Sequence, residues 1–488
     1  MKGIFPFFYE KNYKLLITGN NINGDFMISK KLKKEFNNST DLKHKKFNNI
    51  NLLYLESICS SNKVNEYILQ NLTMGHKYLF LKDIISGPNV IYINNYKLLK
   101  EYLLNGFAVI YDNNEVIVCE VKGDLYRSVN PPTAETSVNG PKDSFNESIL
   151  MNLGLIKRRI KSNDLINEDF SLGRSTLTKV SLLYCSNIAK KELIDDVRNR
   201  IDNIDVDGVI DIEILLQYMT NKENNEKSPL PTIIKTERPD RVSRALLEGK
   251  VVLIADNSPY ALIMPAFLGD FINPQGDYYV KAVNVNFLKI IRLLSFIITI
   301  FLPAIYISII NYTPETIPMS LLLSFQAGRS GVPFPSAFEA IFMIFLCTIL
   351  RESDIRFPSN YGSSISILGA LILGEAAVSA NIASPIMIII IVITFVTCLV
   401  FSSGEIIDGL RFFRLFLLVS SILFGLYGIV IGTFLIMVHL CSIETFKKPY
   451  LYPIAPFDKT YLFKTLLKNN KDTKRSKLLS KNLTRGNI

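Results

Sequence analysis

The sequence predicts an α+β first part, made of two small α/β units, followed by an α-helical transmembrane bundle. At about 150 residues per domain, the 488 residues favour roughly three modules. Overall 48% of residues are hydrophobic and 20% are charged, but the first half is polar and the stretches after Phe287 are very apolar. Such stretches favour an integral membrane protein over a soluble enzyme. The predicted parts are a flexible N-terminal extension (1–46), a first cytoplasmic α/β subdomain (47–130), a second cytoplasmic α/β subdomain (131–286), a transmembrane helical domain with four to six crossings (287–443) and a basic cytoplasmic tail (444–488).

The positive charge is concentrated at the end of the chain. Of the net charge of +10, the stretch from Lys447 to Ile488 supplies +9, with eleven basic and two acidic residues. The nearly neutral remainder excludes a globally basic, nucleic-acid-binding body, and the tail lacks the aromatic context of a nucleic-acid-binding segment. A basic segment of this kind is typical of the cytoplasmic side of a membrane. We therefore expect a lipid membrane as partner and no nucleic acid.

Common catalytic and metal-binding patterns are missing from the sequence. Its six cysteines form no CxxC pair, and there are three histidines, so neither a disulfide framework nor a zinc site is expected. Motifs for phosphate, dinucleotide, zinc-protease and serine-hydrolase chemistry are also absent. We expect no enzyme activity, no catalytic residue, no cofactor and no metal. Met1 to Lys14 contains no apolar signal-peptide core, which predicts a cytoplasmic first half.

Hydrophobic periodicity outlines the first α/β unit. The residues before it are rich in Asn and Lys and are predicted to be mobile and solvated. Asn62 is a candidate N-cap for the helix after the first strand. The other predicted elements are a strand at Ile50–Leu55, a helix at Tyr96–Leu104 and a hairpin of Phe107–Tyr111 with Val116–Val121.

The second unit is predicted to begin after the pair Pro131-Pro132. Asp143 is the candidate N-cap of a helix through Ile160. Arg158 and Arg159 lie in its last turn, where basic residues complement the helix dipole. We interpret the two arginines as a helix terminus or an interdomain contact.

A second charged group surrounds a proline in this unit. Glu237, Arg238 and Asp240 flank Pro239, which can occupy the first turn of a helix. We interpret the three charges as structural rather than catalytic. The remaining predicted elements are a strand at Val180–Tyr184, helices at Lys190–Arg200, Gly208–Tyr218 and Pro239–Leu247, and a hairpin of Val251–Ala255 with Tyr260–Met264.

Long apolar runs predict the membrane helices. Whether their number is odd or even decides on which side of the membrane the basic tail lies. Five spans that start from a cytoplasmic N-terminal region would leave the basic tail outside, against the positive-inside rule. We therefore predict an even number of crossings, four or six, with both ends cytoplasmic. The proline-rich stretch 312–336 suits an interfacial or re-entrant piece. The apolar segments are Leu293–Ile310 with Pro303 as a kink, Ala337–Leu350, Ile365–Phe401 divided into two helices at Pro385, and Leu415–Val438, whose glycines serve either helix packing or nothing specific.

Carboxylates inside apolar runs are the strongest functional signal. Glu339 and Glu375 lie within such runs and Glu352 at a boundary, and a charge inside a bilayer usually faces protein or water. The helix predicted at Ser363–Ile382 carries small residues on one side, suited to close packing. The opposite side is the candidate pore-lining face, formed by Ser364, Leu371, Glu375 and Ser379. The alternative is a carboxylate that is hydrogen-bonded inside the bundle or lies in the headgroups.

Several sequence blocks, in collinear order, resemble the spore germination A-subunit (GerA-type) family. The resemblance covers about Leu52 to Pro456, and Asn139 departs from it where the family has a basic residue. The matching blocks are Gly140-Pro141-Lys142-Asp143-Ser144-Phe145, Asn152 to Ile160, Thr236-Glu237-Arg238-Pro239-Asp240, Leu246 to Val251, Asp277-Tyr278-Tyr279, Leu302 to Ile307, Gly331 to Pro335, Leu350-Arg351-Glu352, Gly369 to Val378 and Pro449-Tyr450-Leu451.

This resemblance implies a subunit of a nutrient germinant receptor in the inner membrane of an endospore. In that family a permease-like B subunit binds the nutrient, a lipoprotein C subunit accompanies it, and the A subunit forms a homo-oligomer that conducts ions. Two other functions stay open: a permease that moves a solute itself, and a membrane sensor or scaffold without conduction. A transporter often shows inverted repeats, and the sequence shows no internal repeat.

Overall fold

The predicted fold class is confirmed, because two α/β units, each built on a five-stranded sheet, precede a set of apolar helices. The predicted strands and helices of both units appear in the predicted order, and four further strands, Leu42–Phe47, Val90–Tyr92, Leu165–Leu172 and Ile234–Thr236, were not predicted. The computed structural model describes residues 24–36, 39–47, 49–73, 81–93, 96–112, 115–123, 132, 135, 139–220, 228–356, 374–401, 403–468 and 478–480.

The first unit is a five-stranded antiparallel sheet with helices packed on both faces. Its strand order is β1-β2-β4-β5-β3, and apolar side chains of alternate residues form a core on each face of the sheet. Its strands are β1 (Leu42–Phe47), β2 (Ile50–Leu55), β3 (Val90–Tyr92), β4 (Phe107–Tyr111) and β5 (Val116–Glu120), and its helices are α1 (Gly24–Glu35), α2 (Ser61–Val64), a π-helical turn (Asn65–Leu69), α3 (Gln70–Thr73), α4 (Leu81–Ile84) and α5 (Tyr96–Leu104).

The second unit has the same plan, and its first two strands are longer, with eight residues each instead of six. Pro239 begins α9 and Gly249 ends it with a φ of 94°, a left-handed conformation that glycine adopts without strain. Its strands are β6 (Leu165–Leu172), β7 (Thr178–Cys185), β8 (Ile234–Thr236), β9 (Val251–Ala255) and β10 (Ala261–Met264), and its helices are α6 (Ile149–Arg159), α7 (Lys191–Asp202), α8 (Ile212–Thr220), α9 (Pro239–Glu248) and α10 (Leu268–Ile272).

The two units repeat one topology, which the sequence analysis missed. The second sheet has the order β6-β7-β9-β10-β8, the same as the first with each number raised by five. Strand order depends on backbone pairing, which tolerates different residues at most positions as long as each face of the sheet packs into a core. The short likeness of Leu53-Tyr54-Leu55 to Leu183-Tyr184-Cys185, in the second strand of each unit, is the trace that remains in the sequence.

The predicted extension 1–46 does not end where expected. Within the described residues, α1 packs Leu32 and Phe36 into the core of the first unit, and β1 pairs with β2 from Leu42 onward. The lysines of β1 point outward on an edge strand, where charge is common. An Asn- and Lys-rich composition therefore concealed a strand, and the first unit begins well before residue 47.

The helix predicted to begin at Asp143 begins later. The helix α6 has Ser148 as its N-cap, and Asp143 instead accepts from Arg159 Nη2 at 2.6 and 2.5 Å. Residues 141–148 are held by backbone contacts, including Phe145 N–H to the Glu237 carbonyl oxygen at 2.8 Å. Asp143 therefore forms a salt bridge with the C-terminal end of α6 instead of capping its N-terminus.

The apolar part consists of helices that follow a 3₁₀ turn at Gln275–Tyr279. In the described part of the chain, two helices are long and apolar enough to cross a membrane. They are α11 and α15, and many of their large apolar side chains are exposed, as expected for lipid contact. The helices are α11 (Ala282–Tyr312), α12 (Met319–Arg329), α13 (Ser336–Arg356), α14 (Pro385–Cys398), which is apolar but shorter, and α15 (Gly404–Ser442); residues 374–379 are also helical.

The last apolar segment is a hairpin, which corrects the prediction of one span at Leu415–Val438. Gly425 has φ 58° and ψ −136°, which reverses the chain inside α15. The rings of Phe413 and His439 therefore lie 6.2 Å apart across two antiparallel arms. At about 1.5 Å per residue the arms, 404–424 and 426–442, are roughly 30 and 25 Å long, close to a bilayer's hydrocarbon thickness of about 30 Å. An uncharged run gives no signal for this reversal, because it depends on packing.

The basic cytoplasmic tail predicted at 444–488 is folded in its described residues, which the prediction did not include. A short hairpin of β11 (Glu444–Thr445) and β12 (Lys448–Pro449) follows α15, and α16 (Lys459–Leu466) comes next. Tyr450 is fully buried in the core of the second unit. Leu479 is fully buried too, and its carbonyl oxygen accepts from Lys190 N at 3.2 Å. The end of the chain is therefore built into the second α/β unit.

Candidate functional site

The three charges around Pro239 meet in a buried network between the second unit and the entry to α11. The Arg238 guanidinium donates to both carboxylate oxygens of Asp240, at 3.0 and 2.9 Å. Tyr279 donates its hydroxyl hydrogen to Asp240 Oδ2 at 2.7 Å. Burial raises the pKa of Asp240, but the hydrogen bonds from Arg238 and Tyr279 outweigh it, so the net pKa is lowered. Burial, with the Asp240 hydrogen bond, raises the pKa of Tyr279 to about 12.

Glu237 extends this network toward the preceding loop. Its Oε1 accepts from the backbone N–H of Glu135 at 2.7 Å, and Glu135 in turn accepts from Arg241 Nη1 at 2.6 Å. Arg238 also donates to the carbonyl oxygens of Glu135 and Pro141, each at 3.3 Å. Paired charges that cross-link loop, strand end and helix suit a structural role, which we retain as a proposal for Glu237, Arg238 and Asp240.

The basic C-terminal end of α6 forms salt bridges with both α/β units. Arg159 closes on Asp143 and on the carbonyl oxygen of Leu155, the latter at 3.0 Å, while Arg158 is partly exposed. Lys157 is buried and pairs with Asp41 of the first unit, and Asp41 also accepts from Ser57 N and Oγ at 2.8 and 2.7 Å. The sequence analysis missed this contact between units, since Asp41 was assigned to the extension.

Glu339 lies inside the helical bundle, as an intramembrane carboxylate should. It is 1% exposed, and its Oε1 accepts from Ser384 N and, at 2.6 Å, from Ser384 Oγ, so that it caps the first turn of α14. Arg329 Nε is 4.0 Å from its Oε2. That Oε2, and the hydroxyl of Tyr306 on α11, are buried without a hydrogen-bond partner in the described part of the chain.

The candidate pore-lining helix is partly described. In residues 374–379 Glu375 and Ser379 are exposed on the single chain, while Ala377 is buried against the bundle. Glu352 is exposed near the end of α13. Ser364 and Leu371 lie outside the described residues, so their predicted place beside Glu375 stays a prediction. Ala376 and Ala380, predicted for the packing side, are exposed as well.

The described residues therefore place polar groups inside an apolar bundle. Among the described residues, no group of three or more His, Cys, Asp or Glu side chains could hold a metal ion. No sequence pattern pointed to Ser384, which bonds Glu339, or to Arg329, whose Nε lies 4.0 Å from its Oε2, because both come from segments distant in the chain. The sequence analysis also missed Arg414, which is 1% exposed in the first arm of α15. An arginine at the edge of the uncharged run 415–438 was the available signal for it.

Comparison with known proteins matches this architecture to one family over nearly the whole chain. The profile of the family described as Bacillus/Clostridium GerA spore germination protein matches residues 30–478. Spore germination protein KA of Bacillus subtilis (strain 168) is 35% identical over 362 residues, which are 74% of this chain and 66% of that protein, slightly less than two thirds. Spore germination protein A1 of the same strain is 32% identical over 412 residues, covering 82% of this chain and 83% of that protein.

One solved structure is similar to the first half. It is the crystal structure of the N-terminal domain of the A subunit of the Bacillus megaterium spore germinant receptor GerK3, 29% identical, with a TM-score of 0.37, covering 49% of this chain and 94% of that chain. The profile match, and the identity of 32% to protein A1 over most of both chains, show the family. This chain belongs to the Bacillus/Clostridium GerA spore germination protein family.

Proposed function

We propose that this chain is the A subunit of a nutrient germinant receptor in the inner membrane of an endospore, where it forms a homo-oligomeric, nutrient-gated ion channel. Family membership supports the receptor role, because the relatives are spore germination proteins. The role is that of a receptor and not of an enzyme. By the family resemblance, its partners are a permease-like B subunit and a lipoprotein C subunit.

The observation that carries the conduction proposal is the exposure of Glu375 and Ser379 beside the buried Ala377. An exposed carboxylate between apolar segments needs water or protein around it in a membrane. In a ring of subunits each chain would contribute one Glu375, and a ring of negative charge favours cations. The helix α12, which has no buried residue, leaves an apolar surface free for neighbouring subunits or lipid.

The proposed topology has six crossings with both ends cytoplasmic. The starts of α13 and α14 meet at the contact of Glu339 with Ser384, so these two helices run in the same direction. In this proposal the helix predicted at Ser363–Ile382 supplies the crossing back between them. With α11, α13, α14 and the two arms of α15, this makes six, an even number. Just after α15, Thr445 donates its hydroxyl hydrogen to the Thr232 carbonyl oxygen at 3.0 Å. This bond holds the segment that follows α15 beside the second α/β unit.

Reconstitution of the purified chain in liposomes, with and without its receptor partners, tests this function. Nutrient-dependent ion flux would support the channel. Uptake of the nutrient or another solute would instead assign a permease. If neither ion flux nor uptake is seen, a sensor or scaffold is the remaining function.

Cys441, exposed at the end of the second arm, tests the topology: an impermeant thiol reagent should label it in inverted vesicles, and labelling from the outside would contradict six crossings. A Cys441→Ser variant identifies the labelled residue.

A further inference from the structure

A short segment near the end of the chain completes the second α/β unit. In this C-terminal segment, Leu478–Ser480, the side chain of Leu479 is fully buried in the core of that unit. The Lys190 N–H donates to the Leu479 carbonyl oxygen at 3.2 Å, and the last residue of the segment forms an antiparallel bridge with Ala189. A Cβ atom at Gly249 would lie 3.0 Å from the same carbonyl oxygen. The segment therefore lies between the start of α7 and the loop that follows α9.

In the first unit, the equivalent place is filled by the continuous chain. There the Ser60 N–H donates to the Val121 carbonyl oxygen at 2.8 Å, and Lys122 forms an antiparallel bridge with Cys59. Ser60 is the N-cap of α2, as Lys190 is of α7. Val121 is fully buried, as is the leucine of the C-terminal segment. Because Val121 directly follows β5, the first unit supplies this piece from its own sheet.

Two glycines beside these places correspond as well. Gly106 follows α5 with a φ of 87°, and Gly249 follows α9 with a φ of 94°. A Cβ atom at either glycine would lie close to an isoleucine at the same position of its unit, 3.1 Å from Ile58 and 3.4 Å from Ile188. The two places are therefore equivalent in their backbone and in their neighbours.

The second unit needs a separate segment here because its own chain turns away after β10. Ala266 donates its N–H to the Thr232 carbonyl oxygen at 3.2 Å, and α10 begins at Leu268. Pairing of β5 with β3 and β4 fixes the equivalent residue of the first unit, Val121. Among the described residues, the C-terminal segment belongs to no sheet. It can therefore leave its place without breaking a strand pair.

The chain just before this segment contacts the start of the first membrane helix. The Lys468 backbone N–H donates to Asn286 Oδ1 at 2.6 Å. Its Nζ donates to three carbonyl oxygens before α11 at 2.9, 2.9 and 2.7 Å, those of Asp277, Tyr278 and Val280. The chain that follows α15 thus contacts both the second unit and the point where α11 leaves it.

We infer that Ile188–Lys190 and Gly249 form a docking site for an extended peptide, and that the C-terminal segment is its releasable occupant. The site recognises a leucine-sized apolar side chain together with the carbonyl oxygen of the same residue. Release exposes that one side chain and its backbone contacts, so it is a local opening of the unit and not its unfolding. The occupied site ties the end of the chain to the second unit, and the empty site frees it.

Hydrogen–deuterium exchange of the full-length chain in detergent tests the release. Relative to its intrinsic rate, the Lys190 amide should exchange faster than the amides of the central strand β7, because release exposes it without opening the sheet. Leu479→Ala removes most of the buried side chain, so Lys190 exchange should accelerate by at least about tenfold. The Ser60 amide should keep its rate. Phe463→Ala, at an exposed ring of α16, is the matched control and should leave Lys190 exchange as in the wild type.

A synthetic peptide with the sequence of residues 474–484 tests the docking site itself. Added in excess to the Leu479→Ala chain, it should slow Lys190 exchange again, whereas the same peptide carrying Leu479→Asp should not. Wild-type Lys190 exchange as slow as that of β7 would overturn the release. Unchanged Lys190 exchange in Leu479→Ala would overturn the role of the leucine, and an ineffective wild-type peptide would overturn the peptide site.

Discussion

Charges buried in the second α/β unit and charges buried in the helical bundle are satisfied in different ways. In the α/β unit, Arg238 pairs with Asp240 at 2.9 Å and Lys250 with Asp270 at 2.6 Å. In the bundle, Arg414 and one oxygen of Glu339 are buried without a hydrogen bond in the described part of the chain. The α/β charges complete their bonds within the chain and fix its shape. The described residues of the bundle instead leave these two groups without a complete set of bonds.

Removing one member of a complete buried pair should have the largest effect on stability. Arg238→Ala leaves Asp240 buried with one hydrogen bond from Tyr279 and a weak one from Gln275, and we expect a loss of about 3–5 kcal/mol in the free energy of unfolding. Denaturant unfolding of the full chain in detergent measures it. Arg174→Ala is the control, because its partner Asp205 is exposed and exposed pairs contribute little.

A stable Arg238→Ala protein that assembles normally but loses ion flux would instead give Arg238 a direct role in gating. That outcome would contradict the structural interpretation of the network.

The hairpin of α15 should depend on close approach of its arms. A Cβ atom at Gly428 would collide with the carbonyl oxygen of Ser420, so Gly428→Ala should cost about 1–3 kcal/mol by overpacking, or more because backbone must move. Gly404→Ala is the matched variant, since a Cβ there meets no atom within 4 Å. Equal stability of the two variants in detergent would argue against the hairpin.

Glu339 should act as an acceptor rather than as a charge. Glu339→Ala leaves the Ser384 N–H and hydroxyl unbonded, which should cost about 1–3 kcal/mol. Glu339→Gln keeps a carbonyl oxygen for them and removes a carboxylate whose nearest cation is 4.0 Å away, so it should cost less than about 1 kcal/mol. Denaturant unfolding in detergent measures both variants. If Glu339→Gln lowers the free energy of unfolding as much as Glu339→Ala, the charge itself stabilises the bundle, as charges do in the α/β unit.

The smallest expected effect depends on pH. Tyr279→Phe removes one hydrogen bond to Asp240 and should cost about 1 kcal/mol at neutral pH. The folded-state pKa of Asp240 lies below its ordinary value of 3.8, so the stability it provides is present above that value and is lost as pH falls through the folded pKa. The difference between wild type and Tyr279→Phe should therefore shrink in acid. Tyr278→Phe, altered at a partly exposed ring stacked on Arg244, should show no such pH dependence.

Local patterns predicted much of the α/β region. The strand Ile50–Leu55 and the helix Tyr96–Leu104 were predicted at their observed bounds, because burial of one face produces the periodicity that was used. The strand β6 was missed, because its Asn, Glu and Asp residues accept hydrogen bonds from Ser39, Arg198 and Thr40 of other segments, which breaks the apolar alternation. The shared strand order was missed for a related reason, since it is a property of pairing and not of residue identity.

The bundle was harder to predict because its decisive contacts are distant in sequence. The apolar run 415–438 reads as one span, and the reversal at Gly425 becomes visible only with Tyr312 packed against it. Glu339 was recognised by its charge, but its neighbours Ser384 and Arg329 come from two other segments. Arg414 became notable through the absence of a bonded partner among the described residues, which a sequence does not record.

The most direct test of the central claim, that Glu375 borders an ion path, is the reversal potential of the reconstituted receptor under a potassium gradient. With wild-type chain it should lie toward the potassium equilibrium potential, because a ring of carboxylates favours cations. Glu375→Gln keeps the shape and removes the charge, so its reversal potential should move toward zero while assembly is unchanged. Glu315→Gln, at an exposed carboxylate in the turn after α11, should behave as the wild type. An unchanged reversal potential and flux in a normally assembled Glu375→Gln receptor would contradict the assignment.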